Sequence, residues 1–296
     1  MTAVSPTTDS ISFVITARRY SNFAEPLLKI VASAKRPDDE VILLVSEDHA
    51  EAATFRPSWL RVVEIPDASV FRLRSQIPAI CRREWVVLFE DHVMVEPGAI
   101  EEIRRLIREQ PDLDLIPFVA KNLTSTDTWD WAIFLFTFAL VWAPIGRPPP
   151  FAVVTSAVVR RSRLGSGAAL QDGEWELRVI PGIFQTGKFA YSNAISIDHI
   201  KPKSCREALI NIYQNARSGA ALQLDLGSEP RTVVREGWYT FARRPGELMR
   251  ALAERKHELP AGTGLRLHVL GFTHMIGFVL AVLFGGGRAA HDLDLD

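Results

Sequence analysis

Short, nearly uninterrupted apolar runs alternate with amphipathic stretches through the first part of the chain. Residues 11–17 read ISFVITA and residues 41–45 read VILLV, with a helix-like stretch over 23–34 between them. A strand that is apolar at almost every position has both faces covered. Strand, helix, strand of this kind therefore predicts a parallel sheet beneath helices. Residues 60–65 read as a third strand and WVVLF at 85–89 as a fourth, while Pro78 argues against one continuous helix over 69–83. A helix is expected over 98–109, with Pro97 at its first turn and Pro111 just past its end.

The pattern changes at Trp129. WAIFLFTFALVWA at 131–143 is shorter than the roughly 20 residues that span a bilayer, and reads as a buried or interfacial helix stopped by Pro144. A strand over 152–159, a basic segment at 160–163 and a small-residue loop at 165–173 follow, and a β-prone run over 190–197 ends in Asp198-His199. Beyond it the pattern turns helical, over 204–218, 235–254 and 264–284. The last is long enough to cross a membrane, but Arg266, His268, Thr273 and His274 interrupt its first half, so a helix lying on or partly inserted in a membrane surface is expected over a clean span. These periods predict an α/β domain over 1–203 and a helical region over 204–296.

Composition narrows the function classes. The 296 residues are 47% hydrophobic and 23% charged, a globular profile with no room for a mainly disordered chain. With 34 Lys+Arg against 35 Asp+Glu no global attraction to nucleic acid is encoded, and none is expected as a partner. Cys81 and Cys205 are too few for a disulfide framework or a cysteine zinc site, and both read as small buried hydrophobes. The first ten residues carry neither a basic patch nor an apolar core, so no secretory signal is expected and the protein is placed in the cytoplasm or at the cytoplasmic face of a membrane.

In open α/β sheets, ligands bind outside the carboxyl ends of the strands. Two strands here end in acidic, histidine-bearing clusters: Ser46-Glu47-Asp48-His49 and Glu90-Asp91-His92. Acids there suit metal coordination or hydrogen bonds to ribose, and imidazole joins where the metal is borderline; a solvated loop after a strand would read the same way. Asp172-Gly173-Glu174-Trp175-Glu176 holds a carboxylate fit for a general base, or acids capping a first helical turn. His199 makes a third strand end with an acid beside a histidine, and a structural hydrogen-bonding role suits it as well.

In order, these pieces resemble the GT-A nucleotide-diphospho-sugar glycosyltransferases, specifically the broad family 2, over about residues 11–199. ISFVITARR resembles the family's opening strand, which would bring Thr16, Ala17 and Arg18 to the nucleotide sugar. VSEDH resembles the VDDGS strand end, with Glu47 or Asp48 as the acid that holds uracil or ribose. Arg72-Leu73-Arg74-Ser75 resembles a basic nucleotide-binding segment. FEDHV stands where the family has its DxD motif, putting Glu90, Asp91 and His92 on those positions with histidine replacing the third carboxylate. Val158-Val159-Arg160-Arg161 resembles a basic stretch before the acceptor loop, and Gly173-Glu174-Trp175-Glu176-Leu177 the ED-x-x-L motif of the catalytic base. That puts the base on Glu174, with Glu176 and Asp172 as alternatives. His199 resembles the histidine that closes the sheet region and would complete the metal or diphosphate site.

The resemblance implies a mostly parallel sheet flanked by helices, and an inverting glycosyl transfer from a nucleotide-diphosphate donor to a carbohydrate or lipid-linked acceptor. It also implies a divalent cation, Mn²⁺ or Mg²⁺, on Asp91, His92 and His199, with Glu174 as base, Glu47 and Glu90 on base and ribose, and Arg74 on phosphate. Two other classes fit less of the sequence. A non-catalytic nucleotide-sugar-binding module would bind donor without product. A nucleotidyltransferase would release pyrophosphate, but the glycine-rich phosphate loop usual in such enzymes is missing from the first strand turn.

Overall fold

The computed structural model describes residues 9–18, 24–46, 56–96, 98–122, 127–145, 156–165, 178–199, 204–254 and 259–293. The chain divides into two compact units, Met1–Lys121 with Ala143–Ile200, and Asn122–Trp142 with Lys201–Asp296.

The first unit is built on strands β1 (Ile11–Ala17), β2 (Glu40–Ser46), β3 (Leu60–Ile65), β4 (Trp85–Glu90), β6 (Leu115–Pro117) and β8 (Ala157–Arg160), in the order β3-β2-β1-β4-β8-β6. The first four run parallel, and β8 is antiparallel to both β4 and β6. The apolar runs explain the placement: every residue of β1 is buried, as are all but the first of β2 and all but the last of β4. Helices α1 (Ala24–Ala34), α2 (Val70–Ser75), α3 (Ile77–Ile80), α4 (Ala99–Glu109) and α6 (Ile180–Thr186) complete this unit, with a smaller sheet of β5 (Val93–Val95), β9 (Ser196–His199) and β7 (Val119–Lys121). The region around Pro78 forms two short helices, α2 and α3, because the chain breaks at Gln76 and Pro78 then opens the second. Helix α4 starts from Gly98, whose φ of 85° is a left-handed conformation that glycine adopts without a Cβ clash.

Asp114, just before β6, accepts a hydrogen bond from Arg163 Nη2 at 2.7 Å and one from the Lys188 amide at 3.0 Å. The Arg163 guanidinium holds its carboxyl below the usual carboxylate range. A lowered folded-state pKa stabilises the fold fully above the unfolded value, near pH 4, and that contribution is lost as pH falls through the folded value. Asp114→Asn is expected to cost about 1.5–3 kcal/mol at neutral pH. It should also flatten the acid-side fall in stability below about pH 4, as read by urea unfolding at pH 7 and pH 3.

The second unit is helical: α5 (Thr128–Phe138), α7 (Cys205–Asp225), α8 (Pro230–Ala242), α9 (Arg244–Glu254), α10 (Thr263–Phe284) and α11 (Ala289–Asp292). Asp127 caps α5 by accepting the Trp129 amide at 2.6 Å, and Ser204 with Glu207 forms a capping box at the start of α7. The helical run expected over 235–254 is two helices that meet at Arg243. Pro245 has no N–H to continue the first helix, and the Arg243 amide closes it on the Tyr239 carbonyl at 2.9 Å. The expected 131–143 helix begins three residues earlier, at Thr128, and tightens into a 3₁₀ turn at Ala139–Val141. Helix α10 is clamped against α7, where a Cβ on Gly277 would lie 2.7 Å from the Ala216 Cβ, and against α8, where one on Gly271 would lie 2.9 Å from the Thr240 carbonyl. One expectation for the cysteines is corrected: Cys81 is buried, with burial the main cause pushing its thiol up to about 12, but Cys205 is exposed because it sits in the first turn of α7.

Candidate active site

Strand β1 lies between β2 and β4, so the chain runs outward to β3 in one direction and to β8 and β6 in the other. The carboxyl ends of β1 and β4 flank the point where the order reverses, where an open α/β sheet leaves a crevice for ligand. Thr16 and Glu90 are register partners there. Thr16 Oγ1 donates to the Phe89 carbonyl at 3.1 Å, which ties the two strand ends together. Ala17 is buried, and so is Arg18, which follows the strand directly.

A second element brings a cation to this rim. Ser69 caps α2 by accepting the Arg72 amide at 3.1 Å, and the helix carries Arg74 inward, where its side chain is 4% exposed. Arg74 Nη2 donates to Glu90 Oε1 at 2.9 Å. On the other side of the carboxylate, His92 Nε2 stands 3.6 Å from Glu90 Oε2, and His92 Nδ1 is 2.9 Å from Asp91 Oδ1. Arg74, Glu90, His92 and Asp91 thus form one continuous polar chain at the end of β4. The FEDHV motif supplied three of its members. Its link to Arg74 has no local sequence signal, since the two residues are 16 positions apart.

The remaining predicted residues divide by position. In β9 the backbone of His199 pairs with that of Val93, next to His92, so the sheet brings the third acid-histidine strand end beside the second. Its side chain lies outside the described residues, as do Glu47 and Asp48 beyond β2, and Glu174 with its alternatives Asp172 and Glu176. The basic stretch at 160–161 stands at the opposite rim, because Arg160 pairs with Trp85 at the start of β4. Its guanidinium lies 4.5 Å from the Trp85 ring centroid and donates to Glu84 at 2.6 Å and to the Leu113 carbonyl at 2.8 Å, a bracing role within the sheet.

A divalent cation is implied by the resemblance, and the donor chemistry fits it in part. Asp91 and His92 supply a carboxylate and an imidazole, which suit Mn²⁺ or a similar ion. Among the described residues no group of three or more His, Cys, Asp or Glu side chains is arranged to hold a metal. Ions of this kind commonly take one or two carboxylates and complete their shell with substrate phosphates and water, so a full protein cage is not required.

No protein-family model matches this chain, and no curated protein matches its sequence. Solved structures do match it in fold. The mannosyltransferase PcManGT from Pyrobaculum calidifontis, solved with GDP-Man and Mn²⁺, is 14% identical, with 95% of this chain aligned over 90% of that one at a TM-score of 0.54. TarS 1-349 from S. aureus is 11% identical over 91% of this chain and 89% of its own, with a TM-score of 0.47. Glucosyl-3-phosphoglycerate synthase from Mycobacterium tuberculosis, solved with Mn²⁺, UDP and glucosyl-3-phosphoglycerate, is 14% identical over 67% of this chain and 74% of its own, with a TM-score of 0.45. With its mostly parallel sheet, its reversal between β1 and β4 and its C-terminal helices, this chain has the GT-A glycosyltransferase fold.

Proposed function

We propose that this protein is an inverting glycosyltransferase that moves a sugar from a nucleotide-diphosphate donor to a hydroxyl of a carbohydrate or lipid-linked acceptor. The observation that carries this reading is the convergence of Arg74, Glu90, Asp91 and His92 at the reversal point between β1 and β4.

In this reading the donor diphosphate lies along the carboxyl ends of β1 and β4. Arg74 is held in place by Glu90 and offsets the charge that builds on the leaving diphosphate, and a preoriented cation in a water-poor site does this without reorganising during the reaction. Thr16, Ala17 and Arg18 line the approach from β1, and Glu47 or Asp48 and Glu90 hold base and ribose. Asp91 and His92, joined by His199, would hold a divalent cation, which supplies Lewis-acid stabilisation of the leaving group when bound. Glu174 takes the proton of the acceptor hydroxyl as it attacks the anomeric carbon from the face opposite the diphosphate, which inverts the configuration. The reaction is placed in the cytoplasm or at its membrane face.

A thermal-shift series over nucleotide-diphosphate sugars, each with and without Mn²⁺, tests the donor site, because a ligand that binds only the folded state raises its stability. One donor class is expected to raise the midpoint by several degrees in a Mn²⁺-dependent way, and Arg74→Met to remove most of that rise. No shift with any donor, from protein shown to be folded, would overturn the reading. A second reading, a donor-binding module without turnover, draws on the way Glu90 is engaged by Arg74 and Asp91 by His92. Donor binding with neither transfer nor slow donor hydrolysis would decide for it.

A further inference from the structure

Helix α10 is long and apolar enough by composition to cross a membrane, yet only 33% of its most apolar stretch is buried. A core helix of a soluble protein would be mostly covered. Of the four polar residues that interrupt its sequence, three turn aside and His268 stays exposed. His274 is stacked on Phe278, with ring centroids 4.5 Å apart, and lies 5.7 Å from Phe136 of α5, while the Arg266 guanidinium lies 5.4 Å from the Trp129 ring centroid. Thr273 Oγ1 turns back onto the Val269 carbonyl at 3.0 Å.

Outward lies a stripe at helical spacing, Leu265, Val269, Phe272, Ile276, Val279 and Leu283, interrupted by the exposed His268 beside Leu265 and Phe272, whose Nδ1 lies 2.8 Å from the Gly264 carbonyl. Leu265, Phe272 and Leu283 are 71%, 47% and 63% exposed. The stripe continues onto α8. Gly237 abuts Phe278, and Gly271 abuts Thr240 and Phe241, so the two helices run antiparallel. Phe241 and Phe272 meet at 5.5 Å between centroids, and Trp238 meets Phe241 at 5.7 Å and is itself 57% exposed. Val234 extends the same side of α8.

Two arginines and one carboxylate border this face. Arg231 and Arg235 stand seven and three residues before Trp238, on the same side of α8 and beside the C-terminal turns of α10. Glu229 meets Arg231 at 2.6 Å. The carboxylate within α8 turns to the opposite flank, where Glu236 accepts from Gln223 of α7 at 3.1 Å, and Tyr239 on that flank donates to Glu247 of α9 at 2.6 Å. An aliphatic and aromatic strip with an exposed tryptophan and an arginine rim matches the boundary between acyl chains and anionic headgroups.

We infer that the outer face of α10 and α8 docks on an anionic lipid bilayer, with α10 lying in the plane of the interface. Crossing is opposed by its partners: α10 is clamped by glycine contacts to α7 and α8, and these carry Arg206, Glu207, Arg217, Arg231, Arg235 and Glu236, which a spanning α10 would draw toward hydrocarbon. This inference stands apart from the donor-site reading, since it concerns lipid alone.

Flotation of the full chain with vesicles of phosphatidylcholine, and of phosphatidylcholine mixed with phosphatidylglycerol, tests it. The protein is expected to float with the mixed vesicles, less at high salt, and weakly with phosphatidylcholine. Phe272→Glu with Leu283→Glu, both at exposed sites, should reduce flotation to background with the circular-dichroism melt retained. Arg231→Gln with Arg235→Gln should weaken binding to the mixed vesicles about 30-fold and leave phosphatidylcholine binding unchanged. An alkaline wash should release the bound protein. Absence of flotation by folded monomer, or flotation that either pair of changes leaves intact, would overturn the inference. So would retention through the alkaline wash, which marks a spanning helix. A dimer in solution that Phe272→Glu with Leu283→Glu splits, without vesicle binding, would assign the face to a second copy of this chain.

Discussion

Glu174→Gln is expected to lower transfer by about 10²–10⁴-fold, the usual contribution of a positioned general base. Glutamine keeps the shape and polarity of the side chain but cannot take a proton at neutral pH. The acceptor hydroxyl must then attack while still protonated, and the loss falls on turnover. Donor binding should survive, because in the proposed reading Arg74 and the Glu90-Asp91-His92 cluster hold the diphosphate and Glu174 does not. The measurements are product formation at saturating donor and acceptor, and donor affinity by calorimetry. Asp172→Asn and Glu176→Gln serve as controls and should keep turnover within a few-fold of the parent. Near-parental transfer by Glu174→Gln, or a collapse with Glu176→Gln or Asp172→Asn instead, would move the base to one of those two residues.

Asp39→Ala is expected to cost about 3–5 kcal/mol of stability, the usual penalty for leaving one member of a buried ion pair alone. The side chains of Asp39 and Arg104 are both 0% exposed. The Asp39 carboxylate accepts the Ile11 amide at 2.9 Å, the Arg36 amide at 2.6 Å and both terminal nitrogens of Arg104. Arg104 also donates to the Asp9 carbonyl at 3.2 Å. One carboxylate therefore joins the start of β1, the turn before β2 and the body of α4. Alanine would strand a guanidinium in the core and orphan an amide at the first residue of the central strand. Urea unfolding followed separately by far-ultraviolet circular dichroism and by tryptophan fluorescence would read the change, since two units need not unfold together. Asp39→Ala combined with Arg104→Met should recover much of the loss, because the buried charge is then removed with its partner. A loss under about 1 kcal/mol would show that water reaches Arg104.

Much of the first unit was legible from its apolar runs. A strand covered on both faces has to be apolar almost throughout, so ISFVITA, VILLV and WVVLF announced β1, β2 and β4, and the parallel pairing followed. The three-residue strands β5, β6 and β7 carry too few positions to show a period. The C-terminal helix pattern was readable in kind but not in its joints. Pro245 stood in plain sight, yet the amphipathic repeat around it suggested one helix where the chain makes two. The FEDHV motif was readable as a strand end, but that this end lies where the strand order reverses between β1 and β4 was not. The partner of Glu90 was hidden, because Arg74 reaches it from a helix that packs over β1 and β2.

By itself the sequence determined the alternation of covered strands and helices, the acid-histidine endings of the strands and the overall charge balance, because each depends on residues close together in the chain. Tertiary structure alone decided that Glu90 answers to Arg74 and that Asp39 neutralises Arg104 across 65 positions. It also decided that α5 belongs with the C-terminal helices, and that His274 and Arg266 turn toward aromatic rings while His268 stays outside among apolar side chains. The physical reason is the same in each case: a charge or a polar ring takes its place from whatever surface lies opposite it, and which surface that is depends on how distant segments pack.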